Sequence, residues 1–112
     1  MKRGDVYDAR LNPAEGSEQA GTRPVVIVSR DAINQYSPVI VIVPFMNAEH
    51  VTRSFPNNVL VNQPEGGLAF DSVALTGQVR AVAKTRLLRY RGPLTQATLE
   101  KIDRALRITL DL

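Results

Sequence analysis

Two apolar runs decide the fold of this chain: Val25-Val26-Ile27-Val28 and Val39-Ile40-Val41-Ile42-Val43. Both consist of β-branched residues, which favour strands. A strand with one face in water alternates apolar and polar residues, so unbroken runs predict strands that are buried on both faces. We therefore expect these two segments to form the centre of a sheet.

Further strands are predicted around this centre, separated by turns that contain proline, asparagine and glycine. A helical turn is predicted at residues 31–35. The predicted strands cover residues 6–11, 25–29, 39–45, 58–61, 72–75 and 78–82.

The C-terminal segment predicts an amphipathic helix. Thr95 can cap it, and Leu94 and Leu99 stand in hydrophobic-staple positions. Apolar residues then recur at helical spacing as far as Leu110. The expected fold is mainly β (α+β): a small, strongly curved antiparallel sheet or open barrel, covered by a C-terminal helix.

Length and charge limit the function. A chain of 112 residues with 44% hydrophobic content suits one domain, residues 1–112. The net charge of +3 favours an acidic partner, although 14 basic against 11 acidic residues is a mild excess. One stretch without acids is either a solvated surface or a track for RNA phosphates or an acidic protein segment. It contains Arg80, Lys84, Arg86, Arg89 and Arg91.

The residue types that are absent exclude several classes of site. The chain has no cysteine, which excludes disulfides and thiolate metal sites and makes the cytoplasm the default compartment. No run approaches the roughly 20 apolar residues that span a bilayer, so we expect no membrane association. A single histidine and no acidic cluster argue against a two-metal nuclease, and we expect no metal or cofactor.

A polar loop with two glycines leads into the first apolar run: Gly16-Ser17-Glu18-Gln19-Ala20-Gly21-Thr22-Arg23-Pro24. This loop places one carboxylate, that of Glu18, and one guanidinium, that of Arg23, at the start of a predicted strand. The planar fork of Arg23 can hold two phosphate oxygens and stays charged at any working pH. The alternative is that Glu18 and Arg23 are solvated loop charges without a role.

This loop resembles the opening of the MazF/PemK (Kid) family, the ribosome-independent, mRNA-cleaving toxins of bacterial toxin–antitoxin pairs. The resemblance implies an SH3-like barrel, which that family shares with the gyrase inhibitor CcdB. It extends over nearly the whole chain. The matching segments are Gly4-Asp5-Val6-Tyr7, Leu11-Asn12-Pro13, GSEQAGTRPVVIVS at 16–29, Asp71-Ser72-Val73, Gln78-Val79-Arg80 and Ile102-Asp103-Arg104-Ala105-Leu106.

The resemblance implies sequence-specific cleavage of single-stranded RNA. The 2′-hydroxyl attacks the adjacent phosphorus and leaves a 2′,3′-cyclic phosphate and a 5′-hydroxyl. Arg23 would stabilise the phosphorane, and Glu18 would act as the base or orient Arg23. The implied partners are a second copy of the chain and a cognate, MazE-like antitoxin, whose extended acidic tail shares the dimer groove with RNA.

Two positions depart from the family's pattern. Met46 stands where the family often has threonine or serine, and Gly77 precedes Gln78 where it often has an acid. Methionine cannot usefully hydrogen-bond a phosphate, so Asn47 becomes a third catalytic candidate, with Thr52, Thr76 and His50 as substitutes. The candidate substrate-binding residues are Gln19, Thr22, His50, Thr52, Gln78, Arg80 and Arg86.

Two functions without catalysis stay open: a CcdB-like topoisomerase inhibitor, and an RNA-binding module whose catalysis has decayed. The loop that carries Glu18 and Arg23 separates them from a nuclease, because a steric inhibitor does not need it. Six aromatic residues could stack on bases, although core packing is expected for most of them. They are Tyr7, Tyr36, Tyr90, Phe45, Phe55 and Phe70.

Overall fold

The structure, a computed structural model, describes residues 1–12, 15, 16, 18 and 21–112. In these ranges the strands belong to one seven-stranded sheet, and two helices accompany it. The strands are β1 (Asp5–Arg10), β2 (Thr22–Ile27), β3 (Val39–Asn47), β4 (Asn58–Val61), β5 (Ser72–Leu75), β6 (Arg80–Ala83) and β7 (Leu87–Pro93). The helices are α1 (Asp31–Tyr36) and α2 (Gln96–Leu110).

The sheet bends along its longest strand. Its order is β4-β5-β3-β2-β1-β7, every neighbouring pair is antiparallel, and β6 pairs with β3 off this path. The first part of β3, residues 39–42, pairs with β6, and its last part, residues 45–47, pairs with β5. Because β3 changes partner along its length, the sheet curves there, as the predicted fold requires.

The core has two layers, one on each face of the central strands. Val26 and Val28 belong to the layer under α2, whereas Val25 and Ile27 belong to the layer on the opposite face. The prediction of a strand buried on both faces is therefore confirmed for the first run. It is wrong at Val39, which is 44% exposed, because β3 begins at the rim of the sheet.

Helix α2 begins where the sequence predicts. The Thr95 hydroxyl accepts a hydrogen bond from the Thr98 N–H at 3.2 Å, and Leu94 and Leu99 are both buried. The predicted apolar stripe ends early, since Leu110 is 50% exposed in the last turn. Neither helix in the described ranges is long and apolar enough to cross a membrane.

The sequence does not predict the edge strand β7. Its residues are mostly exposed or half-buried, and two arginines interrupt the pattern, because β7 pairs with β1 along one side only. The predicted strand over residues 78–82 also begins too early. Gln78 belongs to a short helical turn, Thr76–Gln78, and β6 starts at Arg80.

Candidate functional site

A cleft of about 310 Å³ opens where β2, the end of β3 and the segment before β5 meet. Thr22 and Arg23 come from β2, Asn47 ends β3, and His50 lies in the helical turn that follows. We name it the Arg23 cleft. It brings together one proposed phosphate clamp, one amide donor and one imidazole, all predicted as site residues.

Arg23 reaches the cleft from a paired position of the sheet. It is half-buried within β2, opposite Ala9 of β1, and lines the Arg23 cleft. Side chains alternate along a strand, so Arg23 shares a face with Val25 and Ile27, the face away from α2. Leu11, which belongs to the core layer on that face, also lines a second cleft.

The second cleft, of about 350 Å³, contains three more predicted residues: Glu18, Gln78 and Arg80. Leu11 and Pro44 form part of its wall. The Glu18 carboxylate accepts a hydrogen bond from the Glu15 N–H at 2.7 Å, so it also closes a turn of its own loop. The structure thus places Glu18 among the lining residues of the second cleft and not among those of the Arg23 cleft.

The side chain of Asn47 uses its oxygen in a local hydrogen bond, which leaves its amide nitrogen as a donor for a ligand. Its Oδ1 accepts a hydrogen bond from the Glu49 N–H at 3.0 Å and so caps the turn that carries His50. Within the described ranges the structure gives its Nδ2 group no partner. Met46, half-buried beside it, lines the same cleft with a thioether, which is only a weak acceptor.

The other predicted residues lie elsewhere. Thr52 lines a separate groove of about 370 Å³ beside β4. Arg86 Nη1 donates to the carbonyl oxygens of Arg10 at 3.0 Å and Asn12 at 2.5 Å, so it holds the end of β1. Thr76 is buried and donates to the Asn57 carbonyl oxygen. Gln19 lies outside the described residues.

The Arg23 cleft also contains an ion pair that the sequence pattern does not predict. Asp8 Oδ1 accepts a hydrogen bond from Arg91 Nε at 2.6 Å, and Arg89 Nε lies 3.5 Å from Asp8 Oδ2. Arg91 Nη1 also donates to the Gly67 carbonyl oxygen at 2.8 Å. The signal was an acid inside strand β1, where an apolar residue would be ordinary. The arginines of the predicted basic track therefore make different contacts.

A backbone contact brings β7 against this cleft. Gly67 has a φ of +66°, and a Cβ there would lie 2.3 Å from the Arg91 carbonyl oxygen. Only glycine permits both the left-handed conformation and this approach. The glycine therefore sets where Arg91 meets the cleft wall.

The expected core packing of the aromatic residues is wrong for most of them. Phe45 is fully buried, but Phe70 is 62% exposed at the rim of the Arg23 cleft. Tyr36, Phe55 and Tyr90 are also exposed, because they lie on the short helix, a loop and the edge strand. Tyr7 contacts Tyr90, and burial, then the charge of Asp5, raises the pKa of Tyr7.

The Arg23 cleft offers a permanent cation, an amide donor and an imidazole that can accept or donate a proton. Such groups suit a phosphate ester, because the cation and the amide stabilise negative charge on oxygen. Across the part of the chain that the structure describes, no three histidine, aspartate or glutamate side chains are grouped as metal ligands would be.

Known proteins of similar sequence cover the whole chain. It is 39% identical over 112 residues to "Endoribonuclease EndoA" of Bacillus subtilis (strain 168), with 100% of this chain and 96% of the relative covered. It is 38% identical to "Endoribonuclease MazF" of Staphylococcus epidermidis, with 100% and 92% covered.

Solved structures share the fold. An endoribonuclease in complex with its cognate antitoxin, from a mycobacterial species, matches with a TM-score of 0.82 and 27% identity, over 100% of this chain and 96% of that one. MazF from Deinococcus radiodurans matches with a TM-score of 0.83 and 19% identity, over 100% and 97%. These matches confirm the predicted fold.

A family model described as "PemK-like, MazF-like toxin of type II toxin-antitoxin system" matches residues 2–110. The curved sheet with its C-terminal helix, the loop before β2 and the full-length relatives agree with this match. The chain belongs to the PemK-like, MazF-like toxin family of type II toxin–antitoxin systems.

Proposed function

We propose that this chain is the toxin of a type II toxin–antitoxin pair and a sequence-specific endoribonuclease that cuts single-stranded RNA, mRNA in particular, without the ribosome and without a metal. One observation carries the proposal: Arg23, Asn47 and His50 line one cleft in a chain whose full-length relatives are named endoribonucleases. The two alternatives without catalysis gain no support from those relatives.

In the proposed reaction, a base removes the proton of the ribose 2′-hydroxyl, whose oxygen then bonds to the adjacent phosphorus. The bond from phosphorus to the 5′-oxygen breaks, and that oxygen takes a proton to become a 5′-hydroxyl. The phosphorane in between carries extra negative charge, which the Arg23 guanidinium stabilises from within β2. The Asn47 Nδ2 group donates to a phosphate oxygen, a task that Met46 cannot perform.

Two groups can take the 2′-hydroxyl proton. Glu18 lines the second cleft, and His50 lines the Arg23 cleft. Glu18→Gln and His50→Gln separate the two roles, because loss of the base removes one limb of the pH–rate profile, whereas loss of a binding contact lowers the rate without changing its shape.

The partners follow from the same reasoning. We propose a homodimer of one-domain subunits, residues 1–112, whose shared groove takes either RNA or the extended acidic tail of a cognate, MazE-like antitoxin in the cytoplasm. The net charge of +3 attracts both anions. A structural relative was solved in complex with its cognate antitoxin, which supports the second partner.

The test is incubation of the purified protein with a long single-stranded RNA in excess chelator, followed by analysis of the new ends. We expect cyclic phosphate or 3′-phosphate on one side and a 5′-hydroxyl on the other. Cleavage that disappears with chelator and returns with magnesium would refute the metal-free mechanism. Intact RNA under all conditions would refute the nuclease.

A further inference from the structure

The Asp8–Arg91 ion pair occupies an unusual place. Both side chains are well shielded, at 15% and 17% exposure, yet both line the Arg23 cleft instead of the core. A shielded ion pair adds little net stability compared with apolar residues of the same size, because desolvation offsets the attraction. Stability alone therefore does not explain charged residues at this point of the cleft wall.

The pair presents fixed donors beside a fixed acceptor. Arg91 donates from Nε to Asp8 and from Nη1 to the Gly67 carbonyl oxygen, and these two hydrogen bonds fix the plane of its guanidinium. A guanidinium has five N–H donors, so others are left for a ligand. Asp8 keeps acceptor capacity as well, since Arg89 lies 3.5 Å away and is itself 68% exposed.

The rest of the cleft suits a flat ring. Phe45, Leu68 and Pro24 contribute apolar wall, and the Phe70 ring is exposed at the rim. A volume of about 310 Å³ lies at the small end of the range for small-molecule sites, which combine apolar walls with a few converging polar groups. Exposed aromatic rings are the usual stacking partners of unpaired bases.

On the basis of the proposed RNA cleavage, we propose that the Arg23 cleft holds one unstacked nucleobase beside the scissile phosphate, that Phe70 stacks on it, and that Asp8 and Arg91 read its polar edge. Arg23 lines the same cleft, which places the bound base next to the phosphate that is cut. Asp8 and Arg91 are then specificity-determining residues, since each base presents its own pattern of donors and acceptors.

The test compares cleavage of a random single-stranded RNA pool by the wild type, Asp8→Asn and a control, Asp103→Asn. Asp8→Asn keeps the shape of the side chain but replaces one acceptor oxygen with a donor. We expect the base preference at one position beside the cut to change by about tenfold or more, and other positions to stay the same. Asp103 pairs with Arg3 at 2.6 Å and is not among the residues that line the cleft, so Asp103→Asn should match the wild type.

A second variant, Phe70→Ala, leaves the Asp8–Arg91 ion pair unchanged. Phe70→Ala removes an exposed ring and so should fold, and we expect it to weaken RNA binding about fivefold or more through lost stacking. Binding is measured by fluorescence anisotropy in the Arg23→Ala background, where the RNA stays intact.

The outcomes distinguish this inference from the proposed function. An unchanged base profile in Asp8→Asn, with only a uniformly lower rate, would overturn the inference and leave the nuclease standing. Unchanged RNA binding by Phe70→Ala would also overturn it. A wild type that cuts no RNA would instead refute the proposed function.

Discussion

Arg23 is held by a strand and not by the loop before it. The sequence places it at the junction, but the structure pairs it with Ala9 inside β2, where the ladder with β1 fixes its backbone. A cation on a fixed backbone needs little reorganisation when charge develops on the substrate. Among single residues, it is therefore the one from which most of the charge stabilisation is expected.

We predict that Arg23→Ala lowers the cleavage rate about 10²–10³-fold, the usual cost of removing one preorganised donor. The unfolding temperature should change little, because Arg23 is half-buried and belongs to neither core layer. Single-turnover cleavage and thermal unfolding check this, with the exposed Arg107→Ala as the control. Near-full activity would show that Arg23 is not the phosphate clamp.

Asn47 combines two roles that separate variants can divide. Asn47→Asp keeps the acceptor for the Glu49 N–H but loses the amide donor, whereas Asn47→Ala loses both. We predict that both variants cut RNA more slowly, by about 1–3 kcal/mol of barrier, and that only Asn47→Ala loosens the turn. Met46→Thr should keep or raise activity by restoring a hydroxyl to the cleft.

Side-by-side cleavage rates and hydrogen exchange at residues 48–50 measure the two effects. If Asn47→Ala and Asn47→Asp both retain the wild-type rate, Asn47 does not contact the phosphate. His50, which lines the same cleft, would then be the next donor to test.

At the scale of elements, α2 depends on its first residues. The Thr95 hydroxyl accepts from the Thr98 N–H, and Glu65 accepts from both the Thr95 N–H at 3.0 Å and the Thr95 hydroxyl at 3.2 Å. These bonds attach the helix to the turn before β5. Ile102 and Ala105 then extend the contact into the layer under α2.

We predict that Thr95→Ala lowers the free energy of unfolding by about 1 kcal/mol, because the first turn of α2 loses its cap. Thr95→Ser keeps the hydroxyl and should lose much less. Denaturant unfolding of the three proteins measures the difference. Equal losses in both variants would mean that packing of the threonine methyl, and not the cap, stabilises this end of the helix.

At the scale of the whole molecule, the basic residues do not form one track. Arg86 is bound to backbone carbonyls, Arg89 and Arg91 face Asp8, and Arg80 lines the second cleft. The arginines of the run make different contacts because they lie on strand β6, on a helical turn and on strand β7. Of these, Arg80 is the one that lines the same cleft as Glu18.

We predict that Arg80→Gln reduces the salt dependence of single-stranded RNA binding by about 0.7 in the slope of log K against log salt, the amount expected for one lost phosphate contact. Affinity should fall similarly for all sequences, since phosphate contacts carry no base information. Titrations at several salt concentrations measure this, and Arg107→Gln is the control. An unchanged slope would place the RNA phosphates elsewhere.

The candidate site could be predicted in part, and the reason is visible residue by residue. Thr22, Arg23 and Asn47 could be predicted because they lie at the start or end of strands whose apolar runs are evident in the sequence. Asp8 and Arg91 were not, since they are 83 positions apart and meet only through the pairing of β1 with β7. Arg86 was assigned to substrate by charge, whereas its contacts are to main-chain oxygens.

By itself, the sequence determined the two-sided central strands, the capped C-terminal helix and the family, because apolar periodicity and local hydrogen-bonding residues act over short distances. Only the tertiary structure decided how the site residues are shared between two clefts. Arg23 and Glu18 are close along the chain, yet they line different clefts, because Arg23 is held in β2 by its pairing with β1, whereas Glu18 lies before the strand and bonds to Glu15 of its own loop.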